Sequence, residues 1–349
     1  VSTVAPPATM RVVELAGTGD ASVLVPATRP TPRPGPGELV VRVGACGVCG
    51  HDALARRGEL AAGPGTVLGH EIAGRVVALG PEVPGDWLDR RVALVQRIPC
   101  GRCDECAAGA TTHCRSGPGF YGEDLDGGYA EYVRASPRNA VPLPDGIDDA
   151  TGAILSCAVG TGLRALRSAE VWPGQVVVVT GAGGGVGLHT VALARHLGAR
   201  VVGLVGSAAK VAAVRSAGAE AVVTSDADGL RDAVRTLGGR RGAHVVVETT
   251  GAPTFATALR ALAPRGRLVL VGNTEPGALP LDPGRTIVKE LRVSGSAHAD
   301  RDDLTEVVEL VADGAITPVP AHRRPLAEVA DAHAALDART VTGRAVVTP

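Results

Sequence analysis

The sequence predicts an α/β protein with a doubly wound parallel sheet, accompanied by a β-rich region. Two observations carry this. From about residue 160 onward, short Val-rich runs alternate with helical ones, the pattern of strands buried on both faces by crossover helices. Over residues 11–150, Val-rich runs such as "ELVVRV" and "RVALV" are separated by Gly- and Pro-rich turn signals, as in an all-β region with long loops.

In the second region "QVVVVT" reads as a buried strand, and "GGGVGLHTVALARHLG" as a glycine turn opening a helix that Gly198 is placed to stop. "ARVVGLV" is the next strand and "AAKVAAVRSAG" the next helix. "AHVVVE", "TFATALRAL" and "GRLVLVG" continue the alternation. Beyond about residue 300, "DDLTEVVELVADG" and "LAEVADAHAAL" read as helices and "RAVVT" as a strand. No internal repeat or low-complexity tract is present. Residues 1–10, "VSTVAPPATM", read as a loose tail.

Composition narrows the function classes. A formal net charge of −1 leaves no electrostatic footprint for nucleic acid. No apolar run approaches the roughly 20 residues that span a bilayer. The N-terminal stretch lacks the basic and apolar regions of a signal peptide, so a cytoplasmic location is expected. Aromatic residues make up only 2%, so the core must be built from Val, Leu and Ala. Seven cysteines in such a chain argue for metal binding or catalysis rather than disulfides.

The turn "TGAGGGVG", residues 180–187, follows a strand and opens a helix, the context that marks a dinucleotide site. Gly181, Gly184 and Gly187 fit G-x-x-G-x-x-G, with Gly185 and Val186 between them. Such glycines let the backbone approach a pyrophosphate seated on the helix N-terminus. The following strand would end in an acid if it bound a ribose 2′-hydroxyl, but Val205 stands there. Ser207 and Lys210 follow and can meet a 2′-phosphate, which favours NADP(H) over NAD(H). The plain alternative for Lys210 is a solvated helix residue.

"CGRCDECAAGATTHC" places Cys100, Cys103, Cys106 and Cys114 in one hydrophilic loop, the donor set of a closed tetrahedral zinc site. An iron–sulfur cluster competes for the same thiolates. His113 is a bystander, because four thiolates fill the shell. The remaining cysteines are Cys46 and Cys49, at the spacing of a redox pair in "GACGVCGHD", and Cys157. Cys49, His70 and Cys157 together would make an open catalytic zinc set. Spacing alone does not join them: Cys157 can be a small core residue, and His70 a satisfied polar group.

The chain resembles the zinc-dependent alcohol dehydrogenases of the medium-chain dehydrogenase/reductase family, from about residue 11 to 349. "GVCGHD", "GHEIAG" and "CAVGTG" match the three ligand motifs in order, and "DGGYAEY", "ETTGAP" and "GRLVLVG" stand in their expected places. The resemblance implies a GroES-like catalytic domain from 11–160 and 300–349, a Rossmann domain over 161–299, and an active site in the cleft between them. It implies two zinc ions per chain, a catalytic one on Cys49, His70 and Cys157 and a structural one on the four-cysteine loop. Glu71 would be the nearby carboxylate able to ligate zinc, and Asp52 would orient His70. Cys46 matches no ligand.

The implied reaction is reversible hydride transfer between a nicotinamide and an alcohol or carbonyl substrate, a small molecule. The implied assembly is a homodimer or homotetramer. One departure stands out. Classical members of this family use Ser or Thr two residues after the first cysteine ligand, and many carry a histidine three residues later. Here those positions hold His51 and Leu54. His51 can act as a direct general acid/base, be a space-filling change that accompanies different chemistry, or be a surface histidine with no role. "YGEDLDGGYAEYV", "SCAVGTGLRAL" and "GAGGGVGLHTVALARHLGARVVGL" also resemble an acryloyl-CoA reductase-like subgroup, which reduces an activated C=C bond with NADPH and likewise lacks the Ser/Thr relay. A non-catalytic protein that binds NADPH and zinc is the third reading.

Overall fold

The computed structural model describes residues 6–224, 226–238, 240–275 and 277–349. The chain divides into two compact units: Val1–Gly160 with His298–Gly314 and Pro318–Pro349, and Thr161–Ala297 with Ala315–Thr317. The expected loose tail is shorter at its C-terminal end. Thr9–Leu15 is a strand paired antiparallel with Leu24–Pro30, and Met10 is buried. Residues 1–5 lie outside the described residues.

The first unit is organised by the strand Leu39–Val48, whose side chains are buried almost throughout. It pairs antiparallel with Glu71–Leu79 on one side and Arg344–Thr348 on the other. Pro320–Pro325, Arg91–Leu94 and Ala140–Pro142 extend this sheet, and Tyr132–Ala135 pairs with the same central strand. The C-terminal strand thus reaches the middle of a sheet begun some 300 residues earlier. Its core is aliphatic (Leu39, Val41, Ile72, Leu94, Val347), joined by Tyr121 and Tyr129. This is the solution open to a chain so poor in aromatic residues.

The second unit is a six-stranded sheet, parallel throughout. Its strand order is Ala221–Thr224, Arg200–Val205, Val176–Val179, Ala243–Glu248, Leu262–Leu270, Arg292–Gly295. In chain order this is 3-2-1-4-5-6, so the direction of winding reverses between Val176–Val179 and Ala243–Glu248. Ligands of such sheets bind outside the carboxyl ends of the strands at that reversal. All four side chains of Val176–Val179 are buried, as a strand covered on both faces requires. Among the described residues, no helix is long and apolar enough to cross a membrane.

Candidate functional site

The first unit gathers Cys49, His70, Glu71 and Cys157, with one potential ligand atom from each lying within 4.8 Å of the others. Each comes from a different local device. Cys49 precedes the helix Gly50–Arg56. His70 follows Gly69, whose φ of +96° is left-handed and whose missing Cβ would fall 2.7 Å from Cys46 Sγ. Glu71 begins its strand opposite Gly47, where a Cβ would lie 2.2 Å from Glu71 Oε2. Cys157 sits in a π-helical turn, Leu155–Val159, a local irregularity that no hydrophobic period announces.

The donor chemistry fits a zinc ion. Two thiols and an imidazole are its preferred partners, all three are buried, and the set leaves room for a fourth ligand. Cys49 Sγ lies 3.9 Å from Cys157 Sγ. That hydrogen bond from Cys157 pulls the Cys49 thiol well below its ordinary range. Burial pushes the Glu71 carboxyl up to about 8, against the pull of Arg344. Arg344, itself buried, places Nε 3.1 Å from Glu71 Oε1.

Asp52 lies behind His70. It is buried, and its Oδ1 is 3.0 Å from His70 Nδ1 and accepts from Gly69 N at 3.3 Å. Its Oδ2 accepts from Cys49 N at 2.9 Å and from the Tyr129 hydroxyl at 3.2 Å. Burial pushes this carboxyl up, but the His70 charge and hydrogen bond win and hold it below the usual carboxylate range. Tyr129 Oη is also 3.0 Å from His333 Nε2.

Burial pushes the His333 imidazole down to about 4, with Asp52 opposing and Arg56 adding to the shift. Between that value and the unperturbed 6.5 the unfolded chain binds the extra proton, so stability falls as pH drops through this window. The loss amounts to roughly 3 kcal/mol. Urea melts at pH 7 and pH 4.5 should therefore show His333→Gln losing less stability on acidification than wild type.

His51, at the start of the helix Gly50–Arg56, faces the same region. Its Nε2 is 2.5 Å from Glu123 Oε1, and the two side chains are 36% and 22% exposed, so water reaches the pair. The hydrogen bond from His51 lowers the Glu123 carboxyl from its ordinary range. The His51 ring lies 5.2 Å from the His70 ring and 5.2 Å from Phe120, and Phe120 lies 5.4 Å from His298.

The four-cysteine loop closes on itself. Cys100 Sγ is 3.9 Å from Cys106 Sγ, Cys103 Sγ is 3.8 Å from Cys114 Sγ, and all four donor atoms lie within 4.8 Å of one another. The Arg102 backbone N–H helps bring the Cys100 thiol down to about 6. His113 is exposed and outside the set. Cys46 is fully buried in its strand and joins neither cluster.

In the second unit the glycine turn lies at the winding reversal. Gly181 has φ +54°, and a Cβ there would meet the Thr249 hydroxyl at 2.5 Å. A Cβ on Gly187 would fall 2.3 Å from Gly181 O, so both glycines are required by space. Gly184 caps the helix Gly185–His196, whose first turn includes Val186. Val205 ends its strand buried, and Ser207 beyond it is exposed. The Lys210 stem packs on Gly183, where an added Cβ would lie 2.6 Å from Lys210 Cδ.

Sequence reasoning missed Glu123, Tyr129, His333 and Arg344, together with Thr180, Thr249 and Glu248 beside the turn. Glu248 is fully buried, and its Oε1 accepts from the hydroxyls of Thr180 at 2.8 Å and Thr254 at 2.7 Å. Most of these residues lie in stretches that the sequence marks as strands, helices or motifs, but nothing there gives them a role.

Comparison with known proteins agrees with this architecture. Residues 35–145 match the alcohol dehydrogenase GroES-like domain family and residues 185–313 the zinc-binding dehydrogenase family. The chain is 32% identical over 319 residues to acryloyl-coenzyme A reductase of Metallosphaera sedula, covering 91% of this chain and 94% of that protein. The crystal structure of AibC superposes with a TM-score of 0.90 at 40% identity, covering 98% of this chain and 96% of that one. A thermostable alcohol dehydrogenase from Pyrobaculum aerophilum gives 0.89 at 32% identity, over 98% and 100%. The chain is an oxidoreductase and belongs to the zinc-binding medium-chain dehydrogenase/reductase family.

Proposed function

We propose that this oxidoreductase uses NADPH to reduce the C=C bond of an activated acyl substrate of the enoyl-thioester class, at a zinc held by Cys49, His70 and Cys157. The observation that carries the reading is the His51–Glu123 pair, which occupies the place where alcohol dehydrogenases of this family hold a hydroxyl relay. Reduction of an alkene needs a proton delivered to the carbon beside the acyl group. A solvent-fed imidazole supplies that directly, whereas a hydroxyl relay serves an alcohol oxygen. Similarity to an acryloyl-coenzyme A reductase over nearly the whole chain supports the same substrate class.

When bound, the zinc supplies a Lewis acid for the acyl oxygen and the reduced nicotinamide supplies the hydride. The chain's own residues do the rest. Asp52 holds the His70 Nδ1 proton, so that Nε2 keeps its lone pair for the metal. Glu123 accepts from His51 Nε2–H, which orients the ring; when both ring nitrogens carry protons, Nδ1–H can pass its proton to the substrate, leaving a neutral imidazole that solvent reprotonates. Phe120, packed against both histidine rings, gives the site an apolar wall. Arg344, 3.1 Å from Glu71, favours the charged form of that buried carboxyl against the burial that disfavours it. Cys100, Cys103, Cys106 and Cys114 would hold a second, structural zinc.

The second reading, an alcohol or carbonyl substrate, is favoured by the complete Cys-His-Cys set and by similarity to an alcohol dehydrogenase. A panel of enoyl thioesters, enones, aldehydes and alcohols, run with both cofactors, separates them. The enoyl thioester should consume NADPH while simple alcohols give no turnover. Turnover of alcohols alone would reverse the assignment.

The absence of an acid after Val205 and the Lys210 stem lying on the glycine turn support NADP(H). Lys210→Ala should weaken NADPH binding about 10- to 100-fold, the worth of a charged hydrogen bond, and leave NADH binding nearly unchanged. Fluorescence titration of both cofactors reads this, and equal losses for the two would contradict it.

A further inference from the structure

A buried chain of hydrogen bonds leads from the candidate metal set into the core of the first unit. It runs His70 Nδ1 to Asp52 Oδ1 at 3.0 Å, Asp52 Oδ2 to Tyr129 Oη at 3.2 Å, and Tyr129 Oη to His333 Nε2 at 3.0 Å. Tyr129 and His333 are both fully buried, lie 204 residues apart in sequence, and pack edge to face with ring centroids 5.8 Å apart. Neither belongs to the donor set.

Counting donors fixes the direction of this chain. The Asp52 carboxylate only accepts, and each oxygen has two donors: Gly69 N and His70 Nδ1 on Oδ1, Cys49 N and Tyr129 Oη on Oδ2. Tyr129 spends its single proton on Asp52, so its oxygen must accept from His333, which therefore carries its proton on Nε2. That tautomer leaves His333 Nδ1 as a buried acceptor with no hydrogen-bond partner among the described residues. An orphaned acceptor costs stability that an apolar residue of similar size would avoid. The gain that offsets it is the donor aimed at Tyr129.

We infer that Tyr129 and His333 are positioning residues of the metal centre: they hold the Asp52 carboxylate in the orientation that fixes the ring and tautomer of His70. The inference rests on the reading of Cys49, His70 and Cys157 as metal ligands. A backbone N–H reaches each Asp52 oxygen, and among the described residues the tyrosine is its only side-chain tether besides His70. Removing the hydroxyl leaves Oδ2 held by Cys49 N alone and loosens the orientation of the carboxylate. The imidazole then samples orientations that point Nε2 away from the thiolates.

The test uses the full chain loaded with Co²⁺, whose visible absorption reports ligand geometry. Cys157→Ala serves as the reference for ions held by the four-cysteine loop. Tyr129→Phe keeps the ring and removes one proton. It should lower Co²⁺ affinity at the Cys49–His70–Cys157 set about 10- to 100-fold in competition with a chelator and shift the absorption bands. His333→Leu should act in the same sense, and His333→Gln, which places an N–H near the lost Nε2, should restore wild-type affinity and spectrum. A purely space-filling role predicts the reverse order, with Leu tolerated better than Gln.

Tyr129→Phe and His333→Leu proteins matching wild type in both readouts would overturn the inference. If His333→Leu fails to fold, Tyr129→Phe against wild type still decides. Failure of the metal-site reading looks different: wild type and Cys157→Ala would hold equal Co²⁺ per chain, and the inference would fall with it.

Discussion

Replacing Cys157 with alanine is expected to reduce the zinc content from two ions per chain to one and to lower kcat/KM by about 10³-fold or more. Cys157 shares its buried set with Cys49 and His70, and its thiol lies 3.9 Å from Cys49 Sγ. Without it the set keeps one thiolate, one imidazole and a Glu71 already engaged by Arg344. A Lewis acid supplies several kcal/mol at the reacting centre, and each 1.36 kcal/mol is tenfold in rate, which sets the scale of the loss. The ion in the four-cysteine loop should remain, because that loop is built from different residues. Metal analysis by mass spectrometry beside steady-state kinetics checks both halves. Full activity with two ions bound would remove the set from the mechanism.

His51→Ala should behave differently. Both ions stay, because His51 lies outside the donor set, while kcat falls about 10²- to 10⁴-fold, the range for loss of a positioned proton donor. Glu123→Gln should lose less, about 10- to 100-fold, since the ring remains and only its charged hydrogen bond is weakened. The loss should lie in kcat more than in KM, because the imidazole acts as the proton moves and not in holding the substrate. Unchanged turnover in His51→Ala across the pH range would remove its role as proton donor.

Much of the fold could be read because its strands and turns obey local rules. Val176–Val179 is uniformly apolar because helices cover both faces of its sheet; Gly187 is dictated by close contact with Gly181 within the turn, and Gly181 by its left-handed φ of +54°. The four-cysteine loop is compact in sequence because its closure is local. The residues that escaped prediction are joined by register instead. Pairing of Ala345 with Val48 brings Arg344 to the strand that faces Glu71, and nothing near Arg344 in sequence signals an acid. Tyr129 and His333 meet because a C-terminal helix, Val329–Asp337, returns to the first unit. Glu123 reaches His51 from a loop separated from it by 72 residues. Cys157 could be assigned as a ligand only through the family resemblance, since its π-helical turn has no sequence period of its own.

Isotope transfer distinguishes reduction of C=C from reduction of C=O. NADPH deuterated at the transferred position is incubated with the protein and an acryloyl-type thioester, and the product is analysed by NMR. Reduction of C=C puts one deuterium on the carbon distal to the thioester and one solvent proton on the carbon beside it, and leaves the acyl carbonyl intact. Deuterium on a carbinol carbon, with the double bond retained, would contradict it.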